Sequence, residues 1–276
     1  MAYKRILTIQ DISCVGQCSM TVALPILSAC GQETCIIPSA VLSTHTGGFQ
    51  KPHIRDISMD IPAIGKHWQQ ENITFDAIYT GYLGTKEQIR DVANVFDTML
   101  RPGGKIIVDP AMADHGKLYS GFDMEYARAM GELCKKADVI LPNLTESCLM
   151  TDCEYRENYD EAYIAYVLAK LHKMGMKTVV LTGVSYCPQE TGVVVSNGNS
   201  TYYYRHNKLQ RSYHGTGDIY ASAFVGSWLG GKTMEEAVQI SADYACECIR
   251  ATIGDENHWY GTKFEPVLGK LIEMLK

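Results

Sequence analysis

Between residues 4 and 182 one pattern repeats: a short run of aliphatic and β-branched residues, then a longer segment with apolar residues at helical spacing. Parallel strands cannot be joined by a tight turn, and a helical crossover is the common solution. The alternation therefore predicts an α/β fold with a central, mostly parallel sheet. Expected strands cover 4–10, 34–38, 77–80, 105–109, 139–141 and 178–182, and the clearest helical segments are 20–29, 86–100, 124–135 and 160–174. From Thr191 to Arg205 the pattern becomes Val193-Val194-Val195, an Asn197-Gly198-Asn199 turn and Tyr202-Tyr203-Tyr204, which reads as a β-hairpin. Helices are expected over 218–229, 233–252 and 265–275. No low-complexity linker or internal repeat divides the chain, so a single domain over 1–276 is expected.

In open parallel sheets, ligands bind beyond the carboxyl ends of the strands. Those ends here carry Gln10-Asp11, Asp109-Pro110 and Pro142-Asn143, with Thr182-Gly183 closing the next strand. The most specific local feature is His214-Gly215-Thr216-Gly217-Asp218, directly before a segment of small and apolar residues at helical spacing. Glycines at a helix start let backbone N–H groups converge, and the helix dipole adds positive potential, so the site suits an anion. Asp218 would repel a phosphate there unless it accepts a proton from a substrate hydroxyl or holds a cation. A plain turn with a capping aspartate is the better explanation of those residues when they stand alone, since such short glycine patterns are common. Asn143 and Glu146, three apart at a helix start, fit both a capping box and oxygen ligands for Mg²⁺, direct or through water. Asp109, Asn143, Glu146, Thr182 and the glycine turn together make a phosphate-handling rim the better explanation.

Composition narrows the partners. A net charge of −6 argues against an electrostatic nucleic-acid binder. MAYKRILTIQ reads as a charged tail and a short strand, not a signal peptide, and no stretch approaches a membrane-spanning length. A cytoplasmic protein is expected. Its ten cysteines, including Cys14, Cys18, Cys246 and Cys248, read as reduced, small buried hydrophobes without metal-ligand spacing.

Further stretches extend the motif set: ILTIQDISCVGQ near the start, LSTHTGGF from Leu42, TGYLGTKEQI from Thr80, VDPAMADHGKLY from Val108, LPNLTES from Leu141 and HGTGDIYASAFVG from His214. Over nearly its full length the chain resembles pyridoxal (vitamin B6) kinases of the ribokinase-like superfamily. The resemblance implies a three-layer α/β/α fold with a mostly parallel sheet, and transfer of the ATP γ-phosphoryl group to the 5′-hydroxymethyl of pyridoxal, pyridoxine or pyridoxamine. It implies Asp218 as catalytic base, with Gly215, Thr216 and Gly217 as the anion hole. Asp109, Asn143, Glu146, Thr182 and Gly183 would hold nucleotide phosphates, with Asp109 and Glu146 serving Mg²⁺; a monovalent cation stays open. Asp11, Ser13, Thr44, His45, Thr46 and Tyr82 would surround the substrate ring, and a homodimer is expected.

The sequence departs from that family where many members carry Ser-His after the first strand and this chain has Asp11-Ile12. A carboxylate there suits a cationic substrate such as pyridoxamine. The sister group acting on hydroxymethylpyrimidine often places Cys at the position of Asp218 and a glycine run after the first strand; DISCVGQCS lacks that run. Residues 206–213 are expected to form a lid, and the helix from Thr233 and the Ile253-Gly254 loop are candidates for the adenine pocket. The alternatives are a hydroxymethylpyrimidine kinase or a non-catalytic B6-binding protein.

Overall fold

The computed structural model describes residues 2–276. In chain order the elements are β1 (Arg5–Ser13), α1 (Met20–Ala29), β2 (Glu33–Leu42), β3 (Ile54–Asp56), α2 (Asp60–Gln70), β4 (Phe75–Thr80), α3 (Lys86–Met99), β5 (Leu100–Val108), β6 (Ala113–Asp114) and β7 (Lys117–Leu118). There follow α4 (Met124–Lys136), β8 (Val139–Ile140), α5 (Leu144–Thr151), α6 (Glu161–Met174), β9 (Val179–Val184), β10 (Glu190–Ser196), β11 (Thr201–Asn207), α7 (Thr216–Leu229), α8 (Met234–Thr252) and α9 (Leu268–Met274). Nine strands form one sheet in the order β11-β10-β9-β8-β5-β4-β1-β2-β3. The interior pairs β2–β1–β4–β5–β8–β9 are parallel, whereas β3 and the β10–β11 hairpin are antiparallel additions at the two edges.

Alternate strand residues feed opposite cores, which is why these strands read as continuous apolar runs. Leu7, Ile9, Ile78, Val108 and Leu181 pack on one side with Val92, Phe96, Met130 and Val167, from α3, α4 and α6. Ile6, Ala77, Tyr79, Ile107 and Val180 pack on the other with Ala23, Leu27, Phe224, Val225 and Tyr244, from α1, α7 and α8. The three-layer α/β/α architecture follows from this two-sided burial. Among the described residues no helix is long and apolar enough to cross a membrane.

The element boundaries correct the expectations in several places. The second strand runs on through Pro38 to Leu42, because the proline sits where the β1–β2 register shifts between Gln10 and Ile12 and the ladder is already irregular. β3 and α2 were not legible: β3 is three exposed residues, and α2 buries only Ile61 and Gly65. The expected helix over 265–275 divides into a short 3₁₀ turn, Glu265–Val267, and α9. His206 and Asn207 belong to β11, so the loop toward the glycine turn begins at Lys208. The hairpin forms as expected, with Asn197 Oδ1 accepting from the amides of Asn199 and Ser200.

Candidate active site

Chain direction brings the singled-out residues to one rim. Asp11 and Ser13 close β1, Tyr82 follows β4, Asp109 follows β5, Asn143 follows β8, and Thr182 and Gly183 lie in β9. Thr44, His45 and Thr46 follow β2, and α7 begins at Thr216 with Gly215 as its N-cap. Gly215 adopts φ +79°, and a Cβ there would lie 1.6 Å from the Gln17 carbonyl oxygen. Only glycine lets the α7 start approach the β1–α1 loop this closely. No side chain caps α7, unlike α3, α4, α5, α6 and α8, where Thr85, Asp123, Asn143, Asp160 and Thr233 accept backbone amides. Its first-turn N–H groups are therefore available to an anion, and a Cβ on the exposed Gly217 would meet nothing within 4 Å. Gly183, at φ +71°, likewise faces open space.

Three carboxyl groups share this end of the sheet. Burial raises Asp218 to about 7; the Ser19 amide opposes the rise and the charge of Asp11 adds to it. Burial also raises Glu146 to about 7, against the amides of Asn143, Met112 and Ala113. Asp109 is held well above the ordinary carboxylate range by burial, then by Glu146 and Asp218. Like charges gathered in a low-dielectric setting create a demand for a cation.

Asn143 and Glu146 form a reciprocal capping box. Asn143 Oδ1 accepts from the Glu146 amide at 2.9 Å, and Glu146 Oε2 accepts from the Asn143 amide at 2.8 Å. Glu146 Oε1 accepts from the Met112 amide at 3.1 Å, while Asn143 Nδ2 donates to the Ala113 carbonyl at 2.8 Å. The pair thus locks the segment after Asp109 onto the start of α5. Among the described residues no group of three or more His, Cys, Asp or Glu side chains is close enough to hold a metal ion directly. The all-oxygen donors still fit Mg²⁺, which keeps much of its water shell, so Asp109 and Glu146 would act on it through water.

At the other end, Ser13 Oγ donates to Asp11 Oδ2 at 2.9 Å. Asp11 is 4% exposed and sits at the β1 bulge; burial raises its proton affinity, while the Ser19 and Ser13 hydroxyls lower it. Tyr82 is half-buried, its ring 5.5 Å from that of Phe122, and burial followed by the charges of Asp11 and Asp56 raises its phenol. Thr44 is half-buried and Thr46 exposed.

His45 departs from the expected ligand-facing role. Its Nδ1 accepts from the Gly47 amide at 3.1 Å, and its Nε2 lies 2.5 Å from the Tyr260 carbonyl, which it meets as a donor. With Phe49 and Trp259, whose centroids are 4.7 Å apart, it clamps the 43–49 loop to the segment near Tyr260. Both polar edges are thus held inside the protein. His45→Ala is expected to destabilise by about 2–3 kcal/mol, from two lost hydrogen bonds and an unpaired carbonyl. A urea-denaturation midpoint unchanged from wild type would contradict this.

Sequence reasoning missed Ser19 and Tyr119. Ser19, at φ +52°, serves both acids, its hydroxyl toward Asp11 and its amide toward Asp218. A serine just before an apolar helix was the available signal. The Tyr119 phenol is raised by burial and then by Glu146, Asp114, Asp109 and Asp218; the VDPAMADHGKLY stretch that it closes was the available signal. Of the adenine-pocket candidates, the start of α8 lies at the wrong end, since Met234 and Glu235 line a cavity with Thr178, at the amino end of β9. The other end of α8 borders the site: Thr252 Oγ1 accepts from the Lys263 amide, and Thr262 Oγ1 donates to the His214 carbonyl.

The chain is similar to known proteins over most of its length. A pyridoxine/pyridoxal/pyridoxamine kinase of Bordetella avium is 27% identical over 261 residues, covering 90% of this chain and 85% of that one. A Bacteroides thetaiotaomicron protein, described as a candidate phosphomethylpyrimidine kinase and crystallised with pyridoxal, is 36% identical with a TM-score of 0.91, covering 97% of this chain and 95% of that one. Pyridoxal kinase from Lactobacillus plantarum is 29% identical with a TM-score of 0.90, covering 98% of this chain and 97% of that one. The family model for phosphomethylpyrimidine kinase matches residues 27–263. The three-layer sheet, the uncapped glycine turn and this match over most of the sequence lead to one assignment: the chain belongs to the phosphomethylpyrimidine kinase family, with the ribokinase-like fold of the pyridoxal kinases.

Proposed function

We propose that residues 1–276 act as one kinase domain that transfers the γ-phosphoryl group of ATP to the 5′-hydroxymethyl of pyridoxal, pyridoxine or pyridoxamine, with Asp218 as general base. The observation that carries this is Asp218 itself, a carboxyl raised to about 7 at the uncapped start of α7. A base with that proton affinity is half-ionised near neutral pH, where proton transfer is most effective. Asp218 takes the hydroxyl proton as the substrate oxygen bonds to the γ-phosphorus; the bond to the β–γ bridging oxygen breaks and ADP leaves. Amides of Gly215, Thr216 and Gly217 face the transferring group, and Thr182 and Gly183 border the nucleotide phosphates. Mg²⁺ would neutralise phosphate charge from the Asp109 and Glu146 side. Asp11, Ser13, Tyr82 and the Thr44–Thr46 loop border the heterocycle, with His45 shaping that loop from behind. A cytoplasmic homodimer belongs to the same proposal and rests on the family resemblance.

The family description supports a second reading, a kinase of hydroxymethylpyrimidine, which carries the same reacting group on another ring. An ATP-dependent assay over pyridoxal, pyridoxine, pyridoxamine and hydroxymethylpyrimidine separates the two. The highest kcat/KM is expected with a B6 vitamer; a clear preference for the pyrimidine would replace the first reading with the second.

Asp11 is the expected determinant of vitamer choice. A carboxylate hydrogen-bonded to the amine of pyridoxamine contributes roughly 1.5–3 kcal/mol, or about tenfold and more in affinity. Asp11→Ser is therefore expected to lower the pyridoxamine-to-pyridoxal ratio of kcat/KM by about tenfold. An unchanged ratio would remove Asp11 from that role.

A further inference from the structure

The first turns of α7 rest on a sheet face that is apolar except at one place. On this face β1 presents Ile6, Thr8 and Gln10 in alternation, and β4 presents Ala77 and Tyr79, with Thr8 opposite Tyr79 in the parallel register. Thr8, Gln10, Tyr79 and, from α7, Ser222 are each 0% exposed. Ser222 follows Asp218 by four residues, so it lies one helical turn deeper on the same side.

Gln10 Nε2 donates to Thr8 Oγ1 at 2.7 Å. Among the described residues, Gln10 Oε1, the Tyr79 hydroxyl and Ser222 Oγ have no hydrogen-bond partner. Helical serines and threonines commonly turn the hydroxyl back to the carbonyl four residues earlier. Ser227, Ser241 and Thr252 do so, onto Ala223, Ala237 and Cys248. Ser222 does not, and its hydroxyl acts on the Tyr79 phenol. Burial most strongly raises the Tyr79 phenol, followed by the charges of Asp109 and Asp218, while Ser222 and Gln10 oppose the rise. The phenol therefore senses both the carboxyl groups of the site and this polar layer.

Each buried, unpaired polar atom costs about 1–3 kcal/mol, and phenylalanine and alanine would fill the same space without that cost. The polarity of the groups allows a closed arrangement in which Ser222 O–H would donate to the Tyr79 oxygen and Tyr79 O–H to Gln10 Oε1. Two such bonds would satisfy all three atoms and would tie the turn of α7 below Asp218 to strands β1 and β4.

We propose that Tyr79, Ser222 and Gln10 are positioning residues, a buried hydrogen-bonded layer that fixes the first turns of α7 and so aims Asp218 at the substrate hydroxyl. This rests on the kinase reading above, with Asp218 as base. None of the three touches substrate; they act through the placement of α7, where small displacements of a catalytic group lower rates steeply.

The test compares Tyr79→Phe, Ser222→Ala and the double variant with wild type, in kcat, KM for ATP and heterocycle, and thermal midpoint. Each single variant is expected to lose about tenfold in kcat, with both KM values within about twofold and a modestly lowered midpoint, because the partners left in the layer lose their hydrogen bonds. The double variant is expected to be no slower than the worse single, because one network is broken either way. Single variants with wild-type kcat, losses that multiply in the double variant, or losses that fall on the KM values instead of kcat would each overturn the inference while leaving the kinase reading intact. A wild-type protein that turns over none of the four heterocycles would overturn both.

Discussion

Asp218→Asn is expected to lower kcat by about 10²–10⁴-fold while leaving both KM values within about twofold, because a positioned general base contributes that much to the chemical step and little to binding. The substitution keeps the size and shape of the side chain and removes only its ability to take the proton. Initial-rate kinetics check this, and near-normal kcat would remove Asp218 as the base. The pH profile carries a second signature. Since Asp218 must be ionised to act and burial raises it to about 7 in the unliganded protein, wild-type kcat/KM is expected to climb with pH and reach half its plateau near 7. The Asn variant should lose that limb. Stability runs the opposite way. A carboxyl that binds its proton more tightly in the folded than in the unfolded chain stabilises the fold most below the ordinary carboxylate range, and that contribution is lost as pH rises toward 7. Asp109 and Glu146, raised by the same burial, act in the same direction. Asp218→Asn is therefore expected to raise the thermal midpoint at pH 8 and not at pH 4.

The second large effect is expected at Gly215→Ala. The added Cβ would sit 1.6 Å from the Gln17 carbonyl oxygen, backbone against backbone, with no flexible side chain to give way. The residue also holds φ +79°, where a non-glycine residue costs about 1–2 kcal/mol before any clash is counted. Relief requires the α7 start to move away from the β1–α1 loop, which carries Asp218 with it. A displacement near 1 Å is sufficient for a loss of about 10²-fold in kcat, and the thermal midpoint should fall as well. Gly217→Ala is the control, since its Cβ meets nothing within 4 Å and its φ is not positive. It should fold normally, so any change in its kinetics reports a ligand in that space. Equal behaviour of the two variants would contradict the close-approach argument.

Much of the fold was legible because each parallel strand is a local apolar run followed by its own crossover helix. Long, periodic segments such as α3 and α6 declared themselves, and the capping box at Asn143 and Glu146 was readable from their spacing. β3 and α2 were not, since their stability comes from docking on β2 and α3 and not from any pattern of their own. His45 shows the same limit in the site. Its loop position pointed to a ligand, but its partner, the Tyr260 carbonyl, lies 215 residues away, and only folding brings the two together.

The sequence by itself determined the order of the elements, the glycine turn before α7 and the set of polar residues at the strand ends, because periodicity, capping and backbone freedom act over a few neighbouring residues. The tertiary structure alone decided which of those groups face a ligand and which face the protein. It gathered Asp109, Glu146 and Asp218 where burial raises all three, turned both ring nitrogens of His45 onto backbone partners, and buried Gln10, Tyr79 and Ser222 with polar atoms left unpaired. The physical reason is that proton affinity and hydrogen-bond pairing depend on desolvation and on neighbours remote in the chain, and neither exists until the sheet and its helices have packed.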